Sequence, residues 1–342
     1  MALRPTAGDK LYESLEVINT PSGQALNKLV LGTVQFGLDY GATNKSGKPS
    51  LEATGGILKQ AAHLGVATLD TARAYGDSER RIGILARAWS TLGSPGQPVS
   101  KFPFSVITKL DPLTALKFSN ARSLLVAARH SLERSAEELG EASAPNCVLL
   151  HRPDQRTMVS GRIWDELKAW RAAAPGRKIG VSLSTPAELL DLLDDIDVQH
   201  IQFPFNFLDH RWESEPIQKA LAARKDVTVH VRSVLLQGLL ATSNDADLLQ
   251  VMDRSEAKRV SEFMKLVQAA AGAASRVEAA IGFVSAVDWI SGMVIGVTAL
   301  HELREVAAAF RLKMDPKALD MLRGERPLLD ESVLNPAMWR KS

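Results

Sequence analysis

Eight short, almost continuously apolar runs recur along this chain, separated by longer segments with helical spacing, and that alternation constrains its fold more than any other feature. The runs lie at 28–32 (KLVLG), 66–70 (VATLD), 105–109 (SVITK), 146–150 (NCVLL), 178–182 (KIGVS), 200–203 (HIQF), 227–231 (VTVHV) and 293–297 (MVIGV). They do not alternate apolar with polar, as expected for strands of a parallel sheet covered on both faces. Between them, apolar residues three and four apart predict helices over 54–63, 78–89, 121–139, 161–173, 186–193, 216–224, 256–271 and 300–310. Several starts carry capping signals: Asp77 before SERRIG, Ser184-Thr185-Pro186 before AELL, and Pro216 where a first-turn N–H is dispensable.

Eight strands each followed by a helix is the count that closes a (β/α)8 TIM barrel. An open, doubly wound sheet of fewer strands is the competing architecture, but no linker or composition shift divides the chain. The expectation is a single domain over 1–342, with the barrel core at roughly 28–312, an N-terminal extension and a C-terminal tail. Stretches 91–103 and 237–253 read as loops, and the tail after Met314 carries Pro316, Pro327 and Pro336. Residues 328–339 of that tail, apolar but aperiodic, are expected to reach the barrel mouth and shape a substrate pocket.

Composition removes several functional classes. With 41 Lys+Arg against 39 Asp+Glu the net charge is +2, too balanced for nucleic-acid binding through bulk charge. The one cysteine, Cys147, permits no intrachain disulfide, and no Cys/His cluster suggests a metal; His200 and His210 stand alone. No apolar stretch is long enough to span a membrane, and the N-terminus lacks the apolar core of a secretory signal, so a cytoplasmic protein is expected.

Active sites of barrels lie where strand C-termini run into loops, so polar residues at those ends come first. The second strand ends in Asp70 and continues Thr71-Ala72-Arg73-Ala74-Tyr75-Gly76; the third ends in Lys109; the fourth runs into His151. A carbonyl becoming an alkoxide needs a proton, which a phenol supplies when a nearby cation stabilises the phenolate left behind. Lys109 is of the type to do this, Asp70 to hold Lys109, and His151 to orient the carbonyl oxygen. None of the four is a good nucleophile here, which points to proton transfer coupled to a hydride borne by a cofactor.

The stretch 69–83, Leu-Asp-Thr-Ala-Arg-Ala-Tyr-Gly-Asp-Ser-Glu-Arg-Arg-Ile-Gly, resembles the signature of the aldo-keto reductases. The resemblance implies a (β/α)8 barrel that reduces an aldehyde or ketone with NAD(P)H, and its catalytic tetrad falls on Asp70, Tyr75, Lys109 and His151. It also implies contacts for the dinucleotide. Gly32, Thr33 and Val34 would lie beside the nicotinamide, with Ser182 and Gln202 at its carboxamide; Leu183 stands where an asparagine is usual. Arg232 occupies the place of a ring-stacking aromatic, and Ser233, Leu235 and Gln237 would line the pyrophosphate. Gly296, Thr298, Glu302 and Glu305 would meet the adenosine. A carboxylate at Glu302 repels a 2′-phosphate, so both NADP(H) and NAD(H) stay open. The resemblance admits two further readings, an NAD-dependent sugar lactol dehydrogenase and a cofactor-sensing interaction protein with little turnover. The substrate expected is a small carbonyl compound or sugar; oligomeric state is not legible.

Other conspicuous residues read as structural. Glu79 fits a first-turn carboxylate favoured by the helix dipole. Cys147 sits in an apolar run, and Trp164, Trp170 and Trp289 fall on packing positions. The alternation of Phe203, Phe205 and Phe207 suggests some apolar wall of the pocket, though strand packing explains much of it.

Overall fold

The computed structural model describes residues 25–89, 101–114 and 120–339. Eight parallel strands close into a barrel in sequence order: β1 (Leu29–Gly32), β2 (Thr68–Asp70), β3 (Ser105–Lys109), β4 (Pro145–Leu150), β5 (Lys178–Ser182), β6 (His200–Pro204), β7 (Thr228–Arg232) and β8 (Gly292–Gly296). The ladder β1–β8, pairing Leu29 with Met293 through Gly32 with Gly296, seals the cylinder. The expected closed barrel is thus the architecture, and the open sheet is excluded.

The helices are α1 (Val34–Gly37), α2 (Leu51–His63), α3 (Ser78–Ala88), α4 (Ala121–Leu139), α5 (Arg162–Ala172), α6 (Pro186–Leu192), α7 (Glu215–Ala223), α8 (Arg254–Ala271), α9 (Arg276–Ser285), α10 (Leu300–Ala309), α11 (Pro316–Glu325) and α12 (Glu331–Leu334). Their starts follow capping chemistry. Thr185 accepts from the Glu188 N–H while Glu188 reaches back to the Thr185 N–H, with Pro186 at the first position of α6. Asp77 precedes α3 as expected but makes no cap; its carboxylate pairs instead with Lys48 at 2.9 Å and Arg81 at 3.0 Å.

Strand residues that face the helices are apolar except Thr108, which hydrogen-bonds Glu79 of α3. Leu31, Leu69, Val106, Val148, Ile179, Val181, Ile201, Phe203, Val231, Met293 and Ile295 are all buried in one continuous cluster with the inner faces of the helices. Phe203 stacks on Trp212 with centroids 4.0 Å apart and meets Trp289 at 5.7 Å. Phe205 and Phe207 belong to the same cluster. Of the two readings of the three phenylalanines, packing is the one that holds: they build this outer layer and none lines the cleft. Trp164, Trp170 and Trp289 also pack on this layer.

The tail departs from expectation. Asp315 caps α11 with Pro316 at its first position, so proline here starts a helix that the sequence pattern did not predict. The helix packs on α8. Arg323 and Arg326 both pair with Glu213, Glu331 with Arg211, and the Trp339 indole N–H donates to Val333 O at 3.1 Å. No described residue of 316–339 lines the cleft at the mouth. The expected loop 91–103 lies, up to residue 100, outside the described residues, as does the N-terminal extension. Among the described residues, no helix is long and apolar enough to cross a membrane.

Candidate active site

A cleft of about 970 Å³ opens at the C-terminal ends of the strands. Every residue singled out from the sequence as catalytic or cofactor-binding lines it: Asp70, Tyr75, Lys109 and His151; Gly32, Thr33 and Val34; Ser182 and Gln202; Arg232, Ser233, Leu235 and Gln237; Gly296, Thr298, Glu302 and Glu305.

Asp70 and Lys109 project into the barrel interior from β2 and β3, each 1% exposed. The Lys109 Nζ donates to Asp70 Oδ1 at 2.6 Å and to Thr71 O at 3.0 Å, and lies 3.5 Å from the Tyr75 hydroxyl. Burial alone depresses an ammonium, but here Asp70 and Tyr75 outweigh it and Lys109 stays protonated, its pKa raised. The other Asp70 oxygen accepts from Gln202 Nε2 at 2.7 Å, which leaves Gln202 Oε1 buried without a partner.

Tyr75 is held by its loop. The Arg73 N–H continues the β2–β3 ladder to Lys109 O at 3.0 Å. The Arg73 guanidinium bridges Glu79 and, at 2.9 Å, Glu138. Glu79 is fully buried and also accepts from Thr108 Oγ1 at 2.5 Å. It sits in the first turn of α3 as expected, yet its chief contacts are these. Gly76 turns the chain with φ +58°, and a Cβ on Gly37 would come within 1.8 Å of Tyr75 O. Only glycine there lets the loop seat against α1.

His151 stands edge-on to the Tyr75 ring, centroids 6.1 Å apart. Burial, followed by the nearby charges of Lys109 and Arg232, pushes its pKa down to about 3, so the imidazole is neutral at pH 7. Its Nδ1 is buried without a partner.

The far wall comes from the segment after β7. Ser233, Leu236, Gln237 and Gly238 all adopt positive φ, at 59°, 45°, 54° and 95°. For non-glycine residues this costs about 1–2 kcal/mol each, and strain of that kind is retained where a backbone must present its amides in an unusual direction. Beyond it, Glu302 accepts from the Thr298 N–H, the Thr298 hydroxyl and the Ala299 N–H, capping α10. Leu183 is buried in the outer layer and does not line the cleft.

Several lining residues went unread in the sequence. Tyr40, Gly41, Thr43, Asn44, Lys45 and Ser46, on the loop after α1, cover one side, and a Cβ on Gly238 would meet Thr43 Oγ1 at 2.0 Å. Gln35 lines the wall with Oε1 buried and unpartnered. A polar loop between α1 and α2 carries no periodicity that marks it as a wall. Among the described residues no group of His, Cys, Asp or Glu is placed to hold a metal.

The family model of the aldo/keto reductases matches residues 28–324. Among solved structures, the crystal structure of PA4992 from Pseudomonas aeruginosa, a protein assigned to the aldo-keto reductases, is similar with a TM-score of 0.55 and 21% identity. The match covers 88% of this chain and 95% of that one, and supports the fold. None of the curated proteins matches.

Proposed function

The chain belongs to the aldo/keto reductase family, and from that premise we propose that it reduces an aldehyde or ketone to an alcohol with NAD(H), Tyr75 serving as general acid. The observation that carries this reading is the placement of Lys109. Its ammonium is locked by Asp70 at 2.6 Å and Thr71 O at 3.0 Å, and its remaining reach is toward the Tyr75 oxygen at 3.5 Å. A proton leaving that oxygen leaves a phenolate beside a fixed, buried cation, and electrostatic stabilisation of that kind is preorganised. Neutral His151 stands edge-on to the Tyr75 ring and can bind a carbonyl oxygen without competing as an acid.

The cleft suits a nicotinamide dinucleotide. Gln202 Oε1 and Gln35 Oε1 are buried acceptors without donors, and a carboxamide NH2 answers such acceptors. Gly32, Thr33, Val34, Ser182 and Gln202 would hold the nicotinamide end, Ser233, Leu235 and Gln237 the pyrophosphate, and Gly296, Thr298, Glu302 and Glu305 the adenosine. The bound nicotinamide supplies the hydride. The wall formed by β8 and α10 presents Glu302 and Glu305, with no Lys or Arg among its described lining residues. That charge pattern disfavours a 2′-phosphate, so NADH is the proposed reductant.

Titration by nicotinamide fluorescence, coupled to turnover on an aldehyde panel, tests the reading. NADH binds more tightly than NADPH, and Tyr75→Phe retains NADH affinity while losing about 10²–10⁴-fold in kcat/KM. Near wild-type turnover by Tyr75→Phe overturns the acid assignment, and failure of both cofactors to bind overturns the reductase reading.

A further inference from the structure

One cation beside the candidate reaction centre has no carboxylate to answer it. Lys109 is neutralised by Asp70. Arg152 is engaged by Asp154, whose oxygens lie 3.1 Å from Nε and 3.0 Å from Nη2. Glu188, the remaining carboxylate of that part of the cleft, is spent on the backbone N–H groups of Ser184 and Thr185 at the head of α6. Arg232, the last residue of β7, lines the same cleft, is half-buried, and makes no ion pair within the described residues. Its Nη2 donates to Leu183 O at 3.0 Å, which anchors one side of the guanidinium. A guanidinium carries five N–H donors in a planar fork, so most of the fork remains for a ligand.

Arg232 lines the same cleft as Tyr75 and His151. The charges acting on His151 are Lys109, Arg232 and Arg152, all cationic. The Arg232 charge also acts on Tyr40, on the loop after α1. A half-buried, permanently charged group with free donors in this cleft is matched by a planar anion, which a guanidinium binds through two parallel hydrogen bonds.

We propose that Arg232 receives a carboxylate of the substrate, so that the preferred carbonyl compounds are oxo acids or aldehyde acids. This rests on the carbonyl-reductase reading above. The carbonyl carbon gains a hydride from the reduced nicotinamide, which is oxidised; the carbonyl oxygen gains the Tyr75 proton; the product is a hydroxy acid whose carboxylate is unchanged. Arg232 acts on binding and orientation and takes no part in proton transfer.

Matched pairs of equal carbon skeleton test this: 4-oxobutanoate against butanal, and 2-oxobutanoate against butanone, each at saturating NADH. The wild-type protein favours the acid of at least one pair by tenfold or more in kcat/KM, and added NaCl erodes that preference while leaving the neutral partner unchanged. In Arg232→Met the ratio falls to about one; Arg232→Lys restores part of it. The ratio is taken within one protein, so any change in cofactor affinity cancels. A wild-type ratio near one in both pairs overturns the proposal while leaving the reductase reading intact. So does an unchanged ratio in Arg232→Met accompanied by weaker NADH binding, which would assign the guanidinium to a phosphate of the dinucleotide. No turnover of either member with NADH bound fells both.

Discussion

The two faces of the barrel wall are built from different chemistry. Facing the helices, β6 contributes Ile201 and Phe203, and β5 contributes Ile179 and Val181, all fully buried among aliphatic and aromatic side chains. Facing inward, the alternate positions are Gln202, His200, Ser182 and Gly180, and other strands of the barrel add Asp70, Lys109 and His230. The small apolar group Ile107, Cys147 and Leu149 is separate from the outer core. Barrels of this type ordinarily fill their interior with branched aliphatic residues. Here the outer layer holds the cylinder closed and the inner layer spends burial on charge and hydrogen bonds. Stability and chemistry therefore sit on opposite sides of the same strands, one residue apart.

The sharpest way to break this contrast is Asp70→Asn, which should damage both properties together. It leaves Lys109 buried opposite a neutral group, and removing one partner of a buried ion pair costs about 3–5 kcal/mol. Thermal denaturation should show the lost stability, and carbonyl reduction should fall with it because the ammonium beside Tyr75 loses its anchor. A folded variant with unchanged melting temperature and turnover would show that Lys109 is positioned by something other than Asp70.

Ile201→Ala probes the outer face one residue from Gln202. Ile201 is fully buried in the outer cluster, and truncating such a residue costs about 2–5 kcal/mol depending on how far the site collapses. Denaturant titration should report that loss, while kcat and KM at 25 °C stay within about twofold of wild type. A large kinetic change in the folded variant would mean that the two faces are coupled.

The same contrast explains what could be read from sequence. The outer face is encoded as apolar continuity, so all eight strands were legible to within about two residues at their ends. The four residues proposed for catalysis could be placed at the cleft because Asp70 and Lys109 end strands, His151 directly follows one, and Tyr75 lies on the loop after β2. Two kinds of element escaped. Helix α9 (Arg276–Ser285) buries seven of its ten residues, Val277 and Ala279–Val284, which erases the amphipathic period that marks a surface helix. The helices of the tail were masked by prolines that serve as first-turn residues. The loop at 40–46 escaped because its role depends on where the loop after β7 happens to pass. His200 carried no recognisable partner because His230 is brought to it across the β6–β7 pair, ring centroids 4.3 Å apart.

That histidine pair gives the smallest and most conditional effect. His200 and His230 are buried, and His200 Nε2 and His230 Nδ1 lack partners. Burial pushes the His230 pKa down to about 4 and holds His200 well below its ordinary value, so both are neutral in the folded barrel at pH 7. The groups around His230 pull in both directions: Asp70 favours its charged form, Lys109 and Lys178 oppose it. As pH falls below about 6.5 the unfolded chain takes up protons at these positions that the folded chain refuses, so folding stability declines with falling pH. The decline continues until the folded barrel itself accepts the proton, near pH 4 for His230, which limits that residue's share to about 3 kcal/mol. His151, pushed down to about 3, acts in the same direction. Urea denaturation between pH 7 and 4 should therefore show a steady loss of stability that flattens when His200 and His230 are both replaced by glutamine. The comparison must be made on the slope against pH, because the double substitution also changes packing at neutral pH. An unchanged slope in the double variant would place the acid sensitivity elsewhere, and would mean that the barrel interior tolerates charge at these two positions.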